Sequence, residues 1–126
     1  MEDEKYKAAM VVIFNENKEV LILKRSPGGH WMPEKWGLPG GHVEKGENPN
    51  DAARRETVEE TNLVLRNLHH FKDKKDVAIY YSTKFSGNVE IDFEHTDWAW
   101  VPYDKLDNYD TTPNLKDNVR EALDKL

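Results

Sequence analysis

The sequence predicts an α+β fold, an α/β/α sandwich with a mixed β-sheet, one helix lying on one side and the C-terminal helix on the other. Three observations predict it. Short apolar runs bounded by turn residues outnumber helical patterns, a helix with readable ends falls mid-chain, and a second helical pattern closes the chain. At 126 residues, 37% hydrophobic and 33% charged, the chain has the size and composition of a single globular domain over 1–126.

Taken in order, Ala8–Phe14 and Val20–Leu23 are apolar runs separated by polar, turn-prone Asn15–Lys18, a pattern that predicts a β-hairpin. Ser26–Pro39 is rich in Pro, Gly and Trp and reads as an ordered loop. The central helix has Asn48 at its N-cap, Pro49 at its first position and Asp51 to complete a reciprocal cap. It ends at Glu60 or Thr61, with Asn62 suited to a left-handed turn and Leu63 as its apolar partner. Leu63–Phe71 and Val77–Phe85 read as strands, the second with Val77, Ile79 and Tyr81 on one face and Ala78, Tyr80 and Ser82 on the other. Ser86–Asn88 is a turn, and Val89–Phe93 and Asp97–Val101 supply two more strands. A last helix starting near Thr112-Pro113 carries Leu115, Val119, Ala122 and Leu126 at helical spacing.

Composition narrows the function. A formal charge of −6 argues against general nucleic-acid binding, which needs clustered Lys and Arg. An acidic protein still binds a phosphate ligand when a divalent cation lies between them. The absence of cysteine removes thiolate metal sites and disulfides. No apolar run approaches the roughly 20 residues that span a bilayer. The start, Met1–Lys5, is charged and unlike a signal segment, so the expected location is cytoplasmic.

The stretch Gly41–Leu63 carries the chemistry. Glu56, Glu59 and Glu60 fall at i, i+3 and i+4 of the central helix, within an arc of about 100°. Like charges so placed repel, and a bound cation relieves the repulsion. Oxygen donors without His or Cys favour Mg²⁺ or Mn²⁺ over zinc. Arg55, four residues before Glu59, is placed to hold that carboxylate; Glu47, just ahead of the helix, is placed to orient Arg55. Gly40 and Gly41 let backbone approach closely enough for a carbonyl to join the metal shell. Glutamates and arginines on a helix are by themselves usually a solvated face; the joint pattern is what speaks against that here.

That pattern resembles the Nudix box: G, five residues, E, seven residues, then R-E-U-x-E-E-x-G-U, where U is a bulky aliphatic residue. Gly41, Glu47, Arg55, Glu56, Glu59, Glu60 and Leu63 match at the required spacing, behind Trp36-Gly-Leu-Pro-Gly-Gly41. Thr57 stands where an aliphatic is expected and Asn62 where the second glycine is expected. The resemblance implies a MutT-like Nudix fold and a hydrolase that splits a phosphoanhydride bond in a nucleoside diphosphate derivative. It implies that Glu56, Glu59 and Glu60 coordinate catalytic divalent ions, that Arg55 orients a glutamate, and that Glu47 stabilises the loop–helix–loop or binds metal more distantly. For the general base, Glu56 is the first candidate and Glu94, outside the box, the second.

Substrate contacts are sought among aromatic and basic residues. Trp31, Trp36, Tyr80, Tyr81, Trp98, Trp100 and Tyr103 are possible base-stacking surfaces, although each singly is more often a packing residue. Trp36, Tyr80 and Trp98, with Lys24 and Arg25 for the phosphates, form the expected substrate set. Tyr80 lies 18 residues after Asn62, a spacing resembling that of diadenosine polyphosphate hydrolases. His95, beside Glu94, could assist a substrate contact. The favoured activity is hydrolysis of a nucleoside triphosphate to monophosphate and pyrophosphate. Dinucleoside polyphosphates, nucleotide sugars, ADP-ribose and RNA 5′ ends stand as alternative substrates, and a non-catalytic nucleotide sensor as the alternative of another class. The expected partner is a small nucleotide, with no membrane, and the chain a monomer or homodimer.

Overall fold

Alternation along β1 (Ala8–Ile13) sends Ala9, Val11 and Ile13 to one side and Met10 and Val12 to the other, and each side carries its own core. The computed structural model describes residues 5–126; the charged start, up to residue 4, lies outside them. On the first side Leu21, Leu23, Ala78 and Tyr80 pack with Ala52 and Ala53 of α1 (Pro49–Thr61). On the second, Phe14, Val20, Ile22 and Val101 meet Leu115, Val119 and Ala122 of α2 (Leu115–Leu123). The sandwich is thus the α/β/α arrangement expected, with a helix on each side.

The sheet layer divides in two. One sheet has the order β4 (Gly40–His42), β1, β7 (Val77–Ser82), β6 (His69–Lys74), with β1 parallel to β7 and the other pairs antiparallel. The other places β2 (Val20–Arg25) between β3 (Trp36–Gly37) and β9 (His95–Val101), all antiparallel. The expected hairpin is therefore corrected. Asn15–Lys18 does turn, with the Asn15 side chain accepting from the Asn17 and Glu19 amides at 3.0 Å, but β1 and β2 share a single antiparallel bridge, Phe14 to Val20. Beyond it they diverge. Trp36–Gly40 crosses between the sheets, pairing Lys24 at one end and Met10 at the other.

Three further expectations are adjusted. Leu63–Phe71 is two strands, β5 (Val64–Leu65) and β6, because the Asn67 side-chain carbonyl accepts from Ser82 Oγ and the Thr83 and Lys84 amides and bends the chain there. Val77–Phe85 likewise divides into β7 and the short β8 (Phe85–Ser86), which pairs β5. Val89–Phe93 is not a strand: Val89 and Ile91 pack against the first core, while the Glu90 amide donates to the Thr61 carbonyl at 2.9 Å. A 3₁₀ helix (Tyr103–Asn108) precedes α2, and Leu126 lies beyond α2, exposed. No helix among the described residues is long and apolar enough to cross a membrane.

Both ends of α1 are built as the sequence indicates. Asn48 accepts from the Asp51 amide at 2.8 Å and donates back to its carboxylate at 3.1 Å. At the other end Asn62 adopts φ 66°, its amide donating to Val58 O at 2.9 Å. Thr57 is fully buried, and its hydroxyl donates to the Ala53 carbonyl at 2.7 Å, so the polar atom beneath the helix is satisfied.

Candidate active site

Where β1 and β2 separate, a cleft of about 410 Å³ opens between the sheets. One wall is Gly40, Gly41 and His42 of β4 with Glu56 and Glu60 of α1; the other is Arg25 at the end of β2, Glu94 just before β9 and His95 at its start, with Trp31 from the loop after β2. Ala8, Met10, Leu38 and Val77 give it an apolar floor.

The capped helix fixes the two glutamates. Glu60 is 5% exposed, and its carboxylate accepts from the Gly40 amide at 3.0 Å. Burial, reinforced by repulsion from Glu56, Asp92 and Glu94, pushes its carboxyl up to about 9 against that hydrogen bond. Glu56 is pushed up to about 7, first by burial and then by its contact with Glu59, while Arg55 pulls the other way. A Cβ on Gly41 would lie 1.6 Å from Glu56 Oε2, so the carboxylate occupies the space a side chain would take. Gly40, at φ 153°, has Ala9 O only 2.3 Å from where its Cβ would stand. The double glycine thus lets β4 lie against both β1 and the acidic face of α1.

Glu59 sits differently. It is half exposed at the rim, with both carboxylate oxygens 3.3 Å from Arg55 Nη1. Arg55 is the hub of this edge: Nε and Nη2 grip Glu47 at 2.8 and 3.0 Å, and Nη2 also donates to His42 O at 3.0 Å. Glu47, expected among the metal residues, has both oxygens engaged by Arg55 and takes the Glu44 amide at 3.0 Å. The guanidinium holds its carboxyl below the usual range. Glu47 therefore braces Arg55, outside the cleft. Among the described residues no three acidic or imidazole groups already converge as a cage: Glu59 is drawn to Arg55 at the rim, while Glu60 is held by the Gly40 amide. The donor set nevertheless fits a hard divalent cation: oxygen ligands only, two of them in carboxylates that burial leaves short of compensating charge.

Of the expected substrate residues, Arg25 alone lines the cleft. Lys24 precedes it on β2 and so points to the opposite face. Trp36 packs edge-on against Tyr109 in the second core, ring centroids 5.0 Å apart. Tyr80 is 4% exposed in the first core and stacks on His70, so it presents no face to a ligand. Trp98 is partly exposed but outside the lining. The aromatic at the mouth is Trp31, 51% exposed, its ring 5.2 Å from the Arg25 guanidinium and its carbonyl accepting from Arg25 Nε at 2.7 Å. A long loop hides such a placement from pattern reading. His95 lines the cleft beside Glu94, and Asp92, three residues earlier, reaches its ring across a local turn that the sequence pattern does not single out.

The NUDIX domain family model matches residues 4–123. The chain belongs to that family. This Nudix chain is 33% identical over 111 residues to the asymmetrical bis(5′-nucleosyl)-tetraphosphatase of Caenorhabditis elegans, covering 75% of this chain and 77% of that protein. It is 36% identical over 69 residues to the 8-oxo-dGTP diphosphatase of Escherichia coli K12, covering 55% of this chain and 53% of that protein. Among solved structures, the MutT protein of Methanosarcina mazei Go1 superposes with a TM-score of 0.77 at 26% identity, covering 95% of this chain and 94% of that one. The Nudix chain is thus MutT-like in fold and a member of a pyrophosphohydrolase family whose relatives differ in substrate.

Proposed function

We propose that this Nudix chain hydrolyses a nucleoside triphosphate to the monophosphate and pyrophosphate, using Mg²⁺ or Mn²⁺. The observation that carries the reading is the cleft's two-sided chemistry: Glu56 and Glu60 on one wall, Arg25 and Glu94 on the other. Glu56, Glu60 and the rim residue Glu59 would hold the metal, with the backbone of Gly40 and Gly41 beside them. A divalent ion held there would supply charge to neutralise phosphate oxygens and would make a water acidic enough to attack phosphorus. Arg55, itself gripped by Glu47, keeps Glu59 turned toward the site. Glu94 accepts the proton of the attacking water. It lines the cleft across from α1, where Glu56 is taken up with the metal, and Glu56 is the other candidate for that role. Arg25 meets the phosphate chain, and the base stacks on Trp31, a contact of roughly 1–3 kcal/mol.

Among the described residues, and apart from His42 and His95, Trp31 is the one aromatic ring lining the cleft, which supports a substrate with one base over a dinucleoside polyphosphate. The tetraphosphatase relative keeps the two-base substrate as the second reading. Incubating a nucleotide panel with protein and Mg²⁺ and identifying the released phosphate species tests both, with Glu59→Gln and Glu60→Gln alongside. Loss of activity in the variants is expected. A wild type inactive on every substrate favours a sensor, and variants as active as wild type remove the glutamates from the site.

A further inference from the structure

β9 carries one residue more than its pairing with β2 requires. Leu23 pairs Trp98 and Lys24 pairs Asp97, but Arg25 pairs His95, so Thr96 bulges out of the ladder. Regular pairing would set Thr96 opposite Arg25. The bulge sets the imidazole there instead, and both residues line the cleft.

The His95 side chain is only 4% exposed, and Nδ1 lies 2.7 Å from Asp92 Oδ1. Among the described residues Nε2 has no partner, yet none of their side-chain nitrogens or oxygens is shut off from both partner and solvent. The remnant of accessible ring therefore includes Nε2, and the space that the ring borders is the cleft. Arg25 is left in the same condition: Nε is engaged by the Trp31 carbonyl, while its Nη atoms have no partner among the described residues. Two donors thus stand side by side, opposite the carboxylates of α1. A histidine with a carboxylate at Nδ1 and an anion at Nε2 donates from both ring nitrogens.

We propose that His95, oriented by Asp92 and brought beside Arg25 by the bulge at Thr96, donates a hydrogen bond from Nε2 to the phosphate chain of the substrate. The contact rests on the hydrolase reading above and adds to it a second phosphate-binding residue on the wall facing the glutamates. Depth orders the ligand: Trp31 is at the mouth and His95 nearly sealed, so the nucleoside lies outward and the phosphates inward.

The test titrates inorganic pyrophosphate into Mg²⁺-loaded wild type, His95→Asn and Asp92→Asn, followed by calorimetry, with His95→Gln as the variant that keeps an N–H donor at similar reach. Loss of one charge-assisted hydrogen bond predicts about ten-fold weaker pyrophosphate binding in His95→Asn. A smaller loss is expected in Asp92→Asn and partial recovery in His95→Gln. Mn²⁺ affinity measured without phosphate, and inhibition by unphosphorylated nucleoside, should stay at the wild-type level. Unchanged pyrophosphate affinity in both His95→Asn and Asp92→Asn overturns the assignment, as does an equal loss of Mn²⁺ affinity, which would mark a collapsed site. A wild type that binds pyrophosphate through His95 but hydrolyses no nucleotide would defeat the hydrolase reading and leave this contact standing.

Discussion

Without metal, the stability of this protein should fall as pH rises through neutrality, and Glu60 should be the main reason. Its carboxyl is pushed from 4.5 up to about 9 in the folded chain. Between those values the folded protein retains a proton that the unfolded chain has released. Unfolding is then accompanied by proton loss, and stability drops by about 1.4 kcal/mol per pH unit. From about pH 5.5 to about pH 8 the loss is roughly 3 kcal/mol, or about 10 °C in Tm for a domain of this size. Glu56, pushed up to about 7, adds a slope of the same sign below neutrality. The lowered carboxyls of Glu47 and Asp73 titrate beneath this window and do not oppose it. The assay is urea unfolding in chelator across that range, for wild type and Glu60→Gln. The neutral amide removes the ionisation and should flatten the slope while raising stability at about pH 8. A wild-type stability that is level or rising over the window, or a Glu60→Gln slope equal to wild type, would refute the burial argument.

Other expectations follow from neighbouring geometry. Gly41→Ala should fold within about 1 kcal/mol of wild type, since the atom its Cβ meets is the mobile end of Glu56, yet lose about 10²-fold in kcat through the displaced carboxylate; undiminished turnover would show that Glu56 is not needed where it lies. Gly40→Ala meets backbone rather than side chain, so thermal melts should show it destabilised by about 2–4 kcal/mol. Trp31→Ala should raise KM for the nucleotide by roughly ten-fold or more with kcat little changed, whereas Tyr80→Phe should leave both near wild type; steady-state kinetics on the pair separates the exposed ring from the buried one.

Residues whose role is local were readable in the sequence, and those whose role depends on strands meeting were not. Asn48, Asp51 and Asn62 mark the ends of α1 through contacts within a few positions, and helical spacing alone puts Glu56, Glu59 and Glu60 on one face. Helical spacing could not show that this face is divided, with Glu60 sunk against Gly40 and Glu59 held at the rim by Arg55. Tyr80 and Trp36 looked available because a ring's burial is decided by partners remote in sequence, here the two cores. Val89–Phe93 has the composition of a strand, but its amide at Glu90 finds the end of a helix instead of a neighbouring ladder. His95 stands out in the sequence beside Glu94, but its pairing with Arg25 does not: period-two alternation would turn Thr96 inward, and one bulged residue reverses it.

The lone bridge between Phe14 and Val20 has a wider consequence. It ties the two sheets at one end while their opposite ends bear Arg25 and His95 on one side and Gly40–Gly41 on the other. The Trp36–Gly40 crossing, paired to Lys24 on one sheet and Met10 on the other, is the second tie, so the cleft with its reactive groups is spanned by a strap and closed off at the far end by a bridge. Substitutions among the large side chains of the second core, Phe14 and Leu106 among them, would act on how the sheets meet without touching any group that lines the cleft. A lineage could in that way admit a bulkier phosphate ester while every carboxylate stayed in place.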